Sequence, residues 1–316
     1  MADKSKFQGV IPPVVVPLTA DKQLDIPAFE KSINRMIDGG VHGLFFLGSS
    51  GEVAFLNDEQ RYEVLENAVR IVDHRVPVLA GVIDMETERV IKQIERTKKF
   101  GVDALVCTAP FYTLGGPKEN ERHFRVIREH TDDLPLFAYD LPVCVHTKLD
   151  PTMLVRLGGD GVLAGVKDSS GDDVQFRWLM LENEDAGHPL QLLTGHEVVV
   201  DGALLGGADG SVPGLANLAP EPYVKMWDAA KAGDWDTVRE CQDYLARLMF
   251  LTRHVAATVG FGAGVGAFKT ALWQMGVFNT NQMREPVMPL VGDDVTEIVK
   301  VLKRAGLMAE FAPVRL

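Results

Sequence analysis

The sequence predicts an α/β fold, a (β/α)8 barrel of the TIM type followed by a C-terminal helical domain, and three observations lead to this prediction. Eight short apolar runs alternate with longer amphipathic stretches over the first two thirds of the chain. The runs are apolar almost throughout, which is typical of strands buried on both faces of a parallel sheet. The last part of the chain has only helical patterns. We therefore predict a barrel that carries the active site over residues 1–225 and a helical domain over residues 226–316.

Each predicted strand is short and is flanked by Gly, Pro, Asp or Asn. In chain order the predicted strands are Val10–Leu18, Gly43–Leu47, Val76–Ala80, Ala104–Thr108, Leu136–Tyr139, Val162–Val166, Leu190–Leu193 and Gly210–Val212. A closed barrel is the simplest arrangement in which eight such strands, each followed by a helix, have both faces covered.

The predicted helices carry start and stop signals. Asp25 precedes the first as a candidate N-cap, and Asn57 with Gln60 forms a candidate capping box for the second. Helices are predicted over Ile26–Ile37, from Asn57 onward, and over Thr87–Phe100, Glu119–Glu129, Pro151–Leu157, Asp172–Leu181, Glu197–Leu205, Pro222–Lys231, Trp235–Thr252, Gly266–Gly276 and Val295–Ala305. The glycine-rich run 259–266 lacks the Lys-Ser/Thr ending of a phosphate-binding loop, so we predict a turn between two helices there.

The composition excludes several classes of protein. The chain has 316 residues, 44 of them acidic and 32 basic, and its formal net charge of −12 weighs against a nucleic-acid partner. The longest apolar runs are well short of the ~20 residues of a membrane span, and the first residues show no apolar signal core. Three cysteines, Cys107, Cys144 and Cys241, form no CxxC pair. We expect a soluble, cytoplasmic enzyme without a membrane partner.

Candidate catalytic residues follow from the fold, because the active site of such a barrel lies at the carboxyl ends of its strands. Lys167 directly follows the apolar strand Val162–Val166. A partly dry site favours the neutral form of an amine, and the neutral amine is the nucleophile for Schiff-base chemistry with a carbonyl substrate. The alternative is a lysine that extends to solvent or pairs with Asp168.

Three hydroxyl groups at other strand ends extend this candidate site. Tyr139 ends the fifth strand, where its phenol can move a proton between the lysine adduct and the substrate. The alternative is a tyrosine packed at the rim against Pro142. Ser49 and Ser50 lie in a Gly-Ser-Ser-Gly turn, whose hydroxyls and backbone N–H groups suit a substrate carboxylate. Hydrogen bonds within the turn are the alternative use of these serines.

Three motifs taken together resemble one family. They are Gly48–Glu52, Tyr139–Pro142 and Gly165–Gly171, and Lys167 lies 28 residues after Tyr139. In these motifs the chain is similar to the dihydrodipicolinate synthase / N-acetylneuraminate lyase family of class I, pyruvate-dependent aldolases. The resemblance covers the barrel nearly from end to end and continues into the helical tail.

The resemblance implies a role for each matching residue. Lys167 forms an imine with the keto carbon of pyruvate, and Tyr139 moves protons to and from the substrate. Ser49 links Tyr139 to a second tyrosine, Tyr112, which comes across a dimer interface, and Ser49 with Ser50 holds the pyruvate carboxylate. The resemblance further implies a homo-oligomer, a dimer of dimers, and a reaction of pyruvate and an aldehyde that needs no metal or organic cofactor.

Other strand-end residues bear on the aldehyde half of the substrate. The synthase type has an arginine that binds the second substrate's carboxylate where this chain has Cys144, which we predict to be buried and inert. Of two adjacent acids in the sialic-acid lyase type only Glu197 is matched, and Gly214 stands at that type's serine. The remaining candidate substrate-binding residues are Gly195, Val212, His146 and His196. A surface position is the alternative for both histidines.

Four functions stay open from the sequence. The first is a class I aldolase or lyase that cleaves N-acetylneuraminate or a 2-keto-3-deoxy sugar acid to pyruvate and an aldehyde. The second is the dihydrodipicolinate synthase reaction on pyruvate and aspartate semialdehyde, which Cys144 weakens. The third is a dehydratase that uses the same imine. The fourth, from a different class, is a catalytically silent pyruvate-binding regulatory protein, against which Lys167 and Tyr139 argue.

Overall fold

The computed structural model describes residues 4–253, 255, 260–310 and 314–315. Within these residues one parallel sheet contains the strands β1 Gly9–Val10, β2 Leu44–Phe46, β3 Val78–Gly81, β4 Ala104–Thr108, β5 Leu136–Asp140, β6 Gly165–Asp168, β7 Gln191–Thr194 and β8 Gly210–Ser211. From β2 to β8 each strand pairs with the next one in the chain, and β8 pairs with β1.

The sheet closes between β1 and β2 through the residues that follow β1. The Phe45 N–H donates to the Pro12 carbonyl at 2.9 Å, and the Val14 N–H donates to the Phe45 carbonyl at 2.8 Å. The predicted (β/α)8 barrel is therefore confirmed. Its first strand is shorter than predicted because Pro12 and Pro13 have no N–H to donate to a ladder. Pairing passes from β8 to β2 at these prolines.

Helices and short turns connect the strands on the outside of the barrel. They are α1 Ile26–Asp38, α2 Asp58–Val72, α3 Thr87–Thr97, α4 Pro117–Arg128, α5 Pro142–Val145, α6 Pro151–Gly159, α7 Asp173–Asp185 and α8 Val200–Leu205. The predicted caps are confirmed. The Asp25 side chain accepts the Ala28 N–H, and Asn57 and Gln60 form both hydrogen bonds of a capping box.

Two barrel elements differ from the prediction near the site. The four-residue helix α5 was not expected from the pattern, since it occupies a single turn after Tyr139–Leu141. Helix α8 begins at Val200 rather than at Glu197. The Glu197 carboxylate instead accepts backbone N–H groups from the 3₁₀-helix Gly214–Asn217, which follows β8.

The tail is helical, as predicted, with α9 Pro220–Ala232, α10 Trp235–Leu248, α11 Ala267–Gln274 and α12 Asp293–Arg304. The predicted boundary after residue 225 falls within α9, and the division into two domains stays a proposal. No helix among the described residues has the length and apolar composition to cross a membrane.

The predicted turn at the glycine-rich run is wrong. Residues Gly262–Gly266 form a π-helical turn that continues directly into α11, while Val259 lies outside the described residues. Gly262, Val265 and Gly266 are buried. Packing of this segment therefore outweighs the low intrinsic helix propensity of glycine.

Candidate active site

Lys167 and Tyr139 lie side by side at the carboxyl ends of β6 and β5. The parallel register pairs Tyr139 with Lys167 and with Thr108, so these side chains share one face of the sheet. Lys167 is only 5% exposed. Its Nζ atom lies 4.0 Å from the ring centroid of Tyr139 and 5.1 Å from that of Phe45. The amine therefore points into the barrel mouth instead of extending to solvent.

The turn after β2 brings Ser49 to Tyr139. The Ser49 Oγ atom lies 3.4 Å from the Tyr139 hydroxyl, and Ser49 and Ser50 are both partly buried. Gly48 is required at the start of this turn, because a Cβ atom there would lie 2.6 Å from the Phe45 ring. The structure thus brings Lys167, Tyr139 and Ser49 together from three strands.

Glu197 is a partly buried residue in the loop after β7. It accepts the Gly214 N–H at 2.6 Å and the Leu215 N–H at 3.2 Å. Burial raises the pKa of Glu197 to about 7, although the two N–H groups and the charge of Lys167 oppose this rise. Glu197 is therefore a carboxyl group close to Lys167 that changes charge near neutral pH.

Gly195 and Val212 act in this site through backbone hydrogen bonds rather than through their side chains. The Gly195 N–H donates to the Asp168 carbonyl at 2.6 Å, and a Cβ atom at Gly195 would lie 2.1 Å from Ser169 Oγ. Val212 is buried, and its N–H donates to the Thr194 carbonyl at 2.7 Å. Both residues hold the ends of neighbouring strands close together.

The two candidate histidines lie in different surroundings. His196 Nε2 accepts the Gly171 N–H at 2.6 Å, so in the neutral ring Nδ1 donates to the Asp173 carboxylate, also at 2.6 Å. His196 therefore joins the loops after β6 and β7. His146 is exposed and lines a separate cavity of about 280 Å³ that includes Asn120. Their predicted contact with substrate stays a prediction.

Tyr112 is not part of this cluster within one subunit. It is 90% exposed and has a left-handed φ of 73°. Its side chain lines an outer groove of about 640 Å³ together with Met85 and His123. The neighbouring Phe111 instead lines a pocket beside Ser49.

That pocket has a volume of about 130 Å³ and is mostly apolar. Its lining residues are Ser49, Val53, Ala54, Ile83, Thr108, Phe111, Leu141, Cys144, Val145 and Phe261. No lysine or arginine is among these lining residues. The buried Thr108 Oγ1 atom has no hydrogen-bond partner among the described residues. The pocket therefore offers hydroxyl groups and apolar surface, but no cation for a carboxylate.

The prediction that Cys144 is buried is wrong. Cys144 is exposed, whereas Cys107 and Cys241 are buried. Helix α5 explains the difference, because this single turn buries Val145 and leaves Cys144 at the mouth of the pocket. Partial burial raises the pKa of the Cys144 thiol, and the charge of Lys167 opposes this effect.

The sequence analysis missed a charged group on the outer side of β5 and β6. Lys148 forms an ion pair with the buried Asp140 and lies 3.5 Å from Asp168. Asp168 also accepts hydrogen bonds from the Ser170 N–H and hydroxyl. The sequence did contain a signal for this group. Asp140 and Asp168 directly follow Tyr139 and Lys167, and because successive side chains of a strand alternate, the two aspartates lie on the opposite face of the sheet.

Comparison with known proteins identifies the family. A sequence profile of the Dihydrodipicolinate synthetase family matches residues 6–305. The chain belongs to this family. The match covers nearly the whole chain, which agrees with a resemblance that continues into the helical tail.

Relatives of the family are similar over most of their length. The chain is 32% identical to 4-hydroxy-tetrahydrodipicolinate synthase of Phenylobacterium zucineum, with 96% of this chain and 98% of that protein covered. It is 31% identical to the probable 2-dehydro-3-deoxy-D-pentonate aldolase YjhH of Escherichia coli, with 77% and 81% covered.

Solved structures give the same fold. The crystal structure of Escherichia coli YagE in complex with pyruvate has a TM-score of 0.89 and 27% identity, and covers 96% of this chain and 99% of that one. Dihydrodipicolinate synthase of Thermotoga maritima has a TM-score of 0.89 and 25% identity, with 96% and 100% covered.

Members of this family are pyruvate-dependent lyases and aldolases, and the chain is an enzyme of this type. The relatives carry both synthase and aldolase names. The names of these relatives therefore do not agree on one aldehyde half. Within the described residues, no group of three or more His, Cys, Asp or Glu side chains is arranged to hold a metal ion.

Proposed function

We propose that the protein is a class I aldolase that cleaves a 2-keto-3-deoxy acid to pyruvate and an uncharged aldehyde through an imine on Lys167. The observation that carries this proposal is the buried Lys167 amine, 4.0 Å from the Tyr139 ring centroid. Burying an amine costs free energy. A lysine with a purely structural role would be more stable with its amine in solvent.

The reaction follows from the chemistry of the imine. The Lys167 amine adds to the C2 carbonyl carbon of the keto acid, and loss of water gives a protonated imine. Removal of the proton from the C4 hydroxyl breaks the C3–C4 bond, and its electron pair passes into an enamine as the aldehyde leaves. Protonation at C3 and addition of water then release pyruvate and the free amine. The reverse sequence joins pyruvate and the aldehyde.

Tyr139 is the acid–base group in this proposal. Its ring is in contact with the Lys167 amine, and its hydroxyl faces Ser49 Oγ at 3.4 Å. A phenol that both takes and returns a proton needs a route for that proton, and Ser49 extends the route to the apolar pocket. Ser49 and Ser50 hold the substrate carboxylate, with the keto carbon towards Lys167.

We propose that the partner subunit's Tyr112 completes the proton route in a homo-oligomer. Tyr112 is almost fully exposed, and its own backbone has a left-handed conformation. An exposed aromatic side chain of this size gains from burial in an interface. The proposed dimer of dimers rests on the family resemblance, and the proposed cytoplasmic location rests on the sequence.

The lining of the pocket beside Ser49 favours a substrate whose aldehyde half has no carboxylate. Cys144 stands at its mouth, and its lining has no lysine or arginine. A carboxylate moved from water into such a pocket would lose hydration without gaining a cation. Glu197 supplies an acceptor for a hydroxyl of the substrate. These features favour the aldolase over the synthase reaction, whose aldehyde is carboxylated.

Borohydride reduction in the presence of pyruvate tests the imine directly. We expect one pyruvate-derived adduct on Lys167 by peptide mass spectrometry. The Lys167→Ala variant should give neither adduct nor pyruvate release. Lys98→Met, which removes ion pairs with Glu95 and Asp132, should behave as wild type. A folded wild-type protein without an adduct would contradict the proposal.

A substrate panel tests the aldehyde half. Pyruvate release is measured from 2-keto-3-deoxy acids whose aldehyde halves are either uncharged or carboxylated, and condensation is measured with pyruvate and aspartate semialdehyde. We expect kcat/KM to be higher for the uncharged set. Faster condensation with aspartate semialdehyde would instead assign the synthase reaction, and loss of water without pyruvate release would assign a dehydratase.

A further inference from the structure

The turn that carries Ser49 and Ser50 ends at Glu52, whose carboxylate is buried against the C-terminal helices. Glu52 is 1% exposed and has a left-handed φ of 57°. Its Oε2 atom forms an ion pair with Lys269 on α11, and its Oε1 atom accepts the Arg284 N–H at 3.1 Å. Glu52 and Lys269 are 217 residues apart, so this contact joins the barrel mouth to the end of the chain.

Lys269 is fixed on its own side of the contact. It is fully buried, and Nζ also donates to the Gln282 carbonyl at 3.0 Å. Burial lowers the pKa of Lys269, while the charge of Glu52 opposes this shift. Next to it, Thr270 Oγ1 accepts a hydrogen bond from the Asn281 side chain at 3.1 Å. Lys269 is thus a rigid attachment point.

A movement of Glu52 would also move Ser49, which faces Tyr139. The Glu52 N–H donates to the Ser49 carbonyl at 3.0 Å, and the Val53 N–H donates to the Gly48 carbonyl at 3.4 Å. The Ser49 hydroxyl lies 3.4 Å from that of Tyr139, a separation at which a small shift of the turn breaks the hydrogen bond. The orientation of the turn therefore depends on where Glu52 is held.

Stability alone gives little reason for such a pair. Removing two charges from water costs about as much as their attraction returns, and apolar side chains of similar size often stabilise a protein as well or better. What a buried pair with added hydrogen bonds supplies is a defined orientation of both partners. At Glu52 that orientation is the orientation of the serine turn.

We propose that Glu52 and Lys269 are positioning residues for the reaction, and that through them the C-terminal helices set the geometry of the substrate-carboxylate site. This inference rests on the proposed imine chemistry at Lys167. It makes the helical tail a part of the catalytic unit rather than an addition to the barrel.

The double variant Glu52→Gln/Lys269→Met tests the proposal without leaving an unpaired buried charge. We expect it to fold with a thermal midpoint close to that of wild type. Trapping with borohydride should still label Lys167, but the half-saturating pyruvate concentration should rise about tenfold or more. Exchange of the pyruvate methyl protons with deuterated water, followed by NMR, should slow by a similar factor, because Ser49 no longer faces Tyr139.

Two controls keep the outcomes distinct. Lys98→Met removes the ion pairs of Lys98 with Glu95 and Asp132, which lie at the opposite end of the barrel, and should change neither quantity. Glu52→Met/Lys269→Met also removes both charges of the pair and serves as the second variant should the first double variant not fold. A folded variant with wild-type half-saturation and exchange would overturn the positioning role. Absence of an adduct in wild type would instead overturn the proposed function.

Discussion

Lys148 reaches back from the loop after α5 to the carboxylate of Asp140, the residue that directly follows Tyr139 in β5. The same amine lies 3.5 Å from Asp168, which directly follows Lys167 in β6. The strand register pairs the two carboxylates as it pairs the two catalytic candidates. One cation therefore links the outer faces of the two strands whose inner faces carry Tyr139 and Lys167.

Replacing Lys148 with Met should destabilise the protein in a pH-dependent way. Burial raises the pKa of Asp140 to about 6, and Lys148 opposes this rise. Without Lys148 the pKa of Asp140 rises further, so above pH 6 the variant either keeps a proton that wild type has lost or carries an unpaired buried charge, and both cost stability. Well below pH 6 the carboxyl is neutral in both proteins and needs no partner. We expect a loss of about 2–3 kcal/mol at pH 8, less than for fully buried pairs because the Lys148 side chain is 29% exposed. Urea unfolding measures it.

The loss should shrink when the same unfolding is measured at pH 5. Lys300→Met is the control, since it removes an exposed ion pair with Glu297 on α12 and should cost less than about 1 kcal/mol at both pH values. An equal loss at pH 5 and pH 8 in Lys148→Met would mean that the lysine acts through packing rather than through the charge of Asp140.

Ser49→Ala should slow turnover without preventing imine formation. The Ser49 hydroxyl is the group that faces Tyr139 at 3.4 Å, and loss of an acid–base contribution lowers rates by about 10²–10⁴-fold. Steady-state pyruvate release measures kcat, and borohydride trapping measures the imine. Ser32→Ala is the matched control, because the buried Ser32 hydroxyl has no partner among the described residues. An unchanged kcat in Ser49→Ala would remove Ser49 from the proton route.

Tyr112→Phe should lower turnover more than pyruvate binding if the phenol acts across an interface. Co-assembly gives the sharper measurement. Neither Tyr112→Phe nor Lys167→Ala is expected to be fully active alone, but a mixed oligomer contains sites with an intact Lys167 and the partner subunit's Tyr112. Activity of the mixture above the sum of the separate variants supports the route between subunits. Additive activities would place the action of Tyr112 within its own subunit.

The barrel was predictable because each strand is a local apolar signal. The predicted strand Ala104–Thr108 coincides with β4, and Lys167, Tyr139 and Ser49 fall at strand ends that the fold brings together. Cap residues such as Asn57 act within one helical turn and could likewise be predicted from the sequence. A feature that depends on a few consecutive residues is thus visible in the sequence.

Features built by distant residues were not predictable in this way. The ion pair of Glu52 with Lys269 spans 217 residues, and neither neighbourhood signals the other. The exposure of Cys144 depends on a single helical turn, α5, which is too short to produce a periodic pattern. The glycine-rich run became helical because packing outweighed its local preference.

Cys144→Arg should change the preferred aldehyde. The residue lies at the mouth of a pocket that has no lysine or arginine in its lining. Adding a guanidinium there supplies a bidentate partner for a carboxylate. We expect kcat/KM for carboxylated aldehydes to rise at least about tenfold relative to uncharged ones, a change of about 1.4 kcal/mol. Cys144→Ala controls for loss of the thiol, and an unchanged preference in Cys144→Arg would place the aldehyde half elsewhere.

Glu197→Gln should remove an ionisation near neutral pH from the activity profile. Burial raises the pKa of Glu197 to about 7, so the wild-type carboxyl gains its charge, and its full strength as a hydrogen-bond acceptor, as the pH rises from 6 to 8. If this group accepts a substrate hydroxyl, kcat/KM for a hydroxylated keto acid rises over the same range, and the variant loses that rise. The adduct with pyruvate alone, which lacks the aldehyde half, should form equally in both proteins. A limb near pH 7 that persists in Glu197→Gln would assign the ionisation to another group.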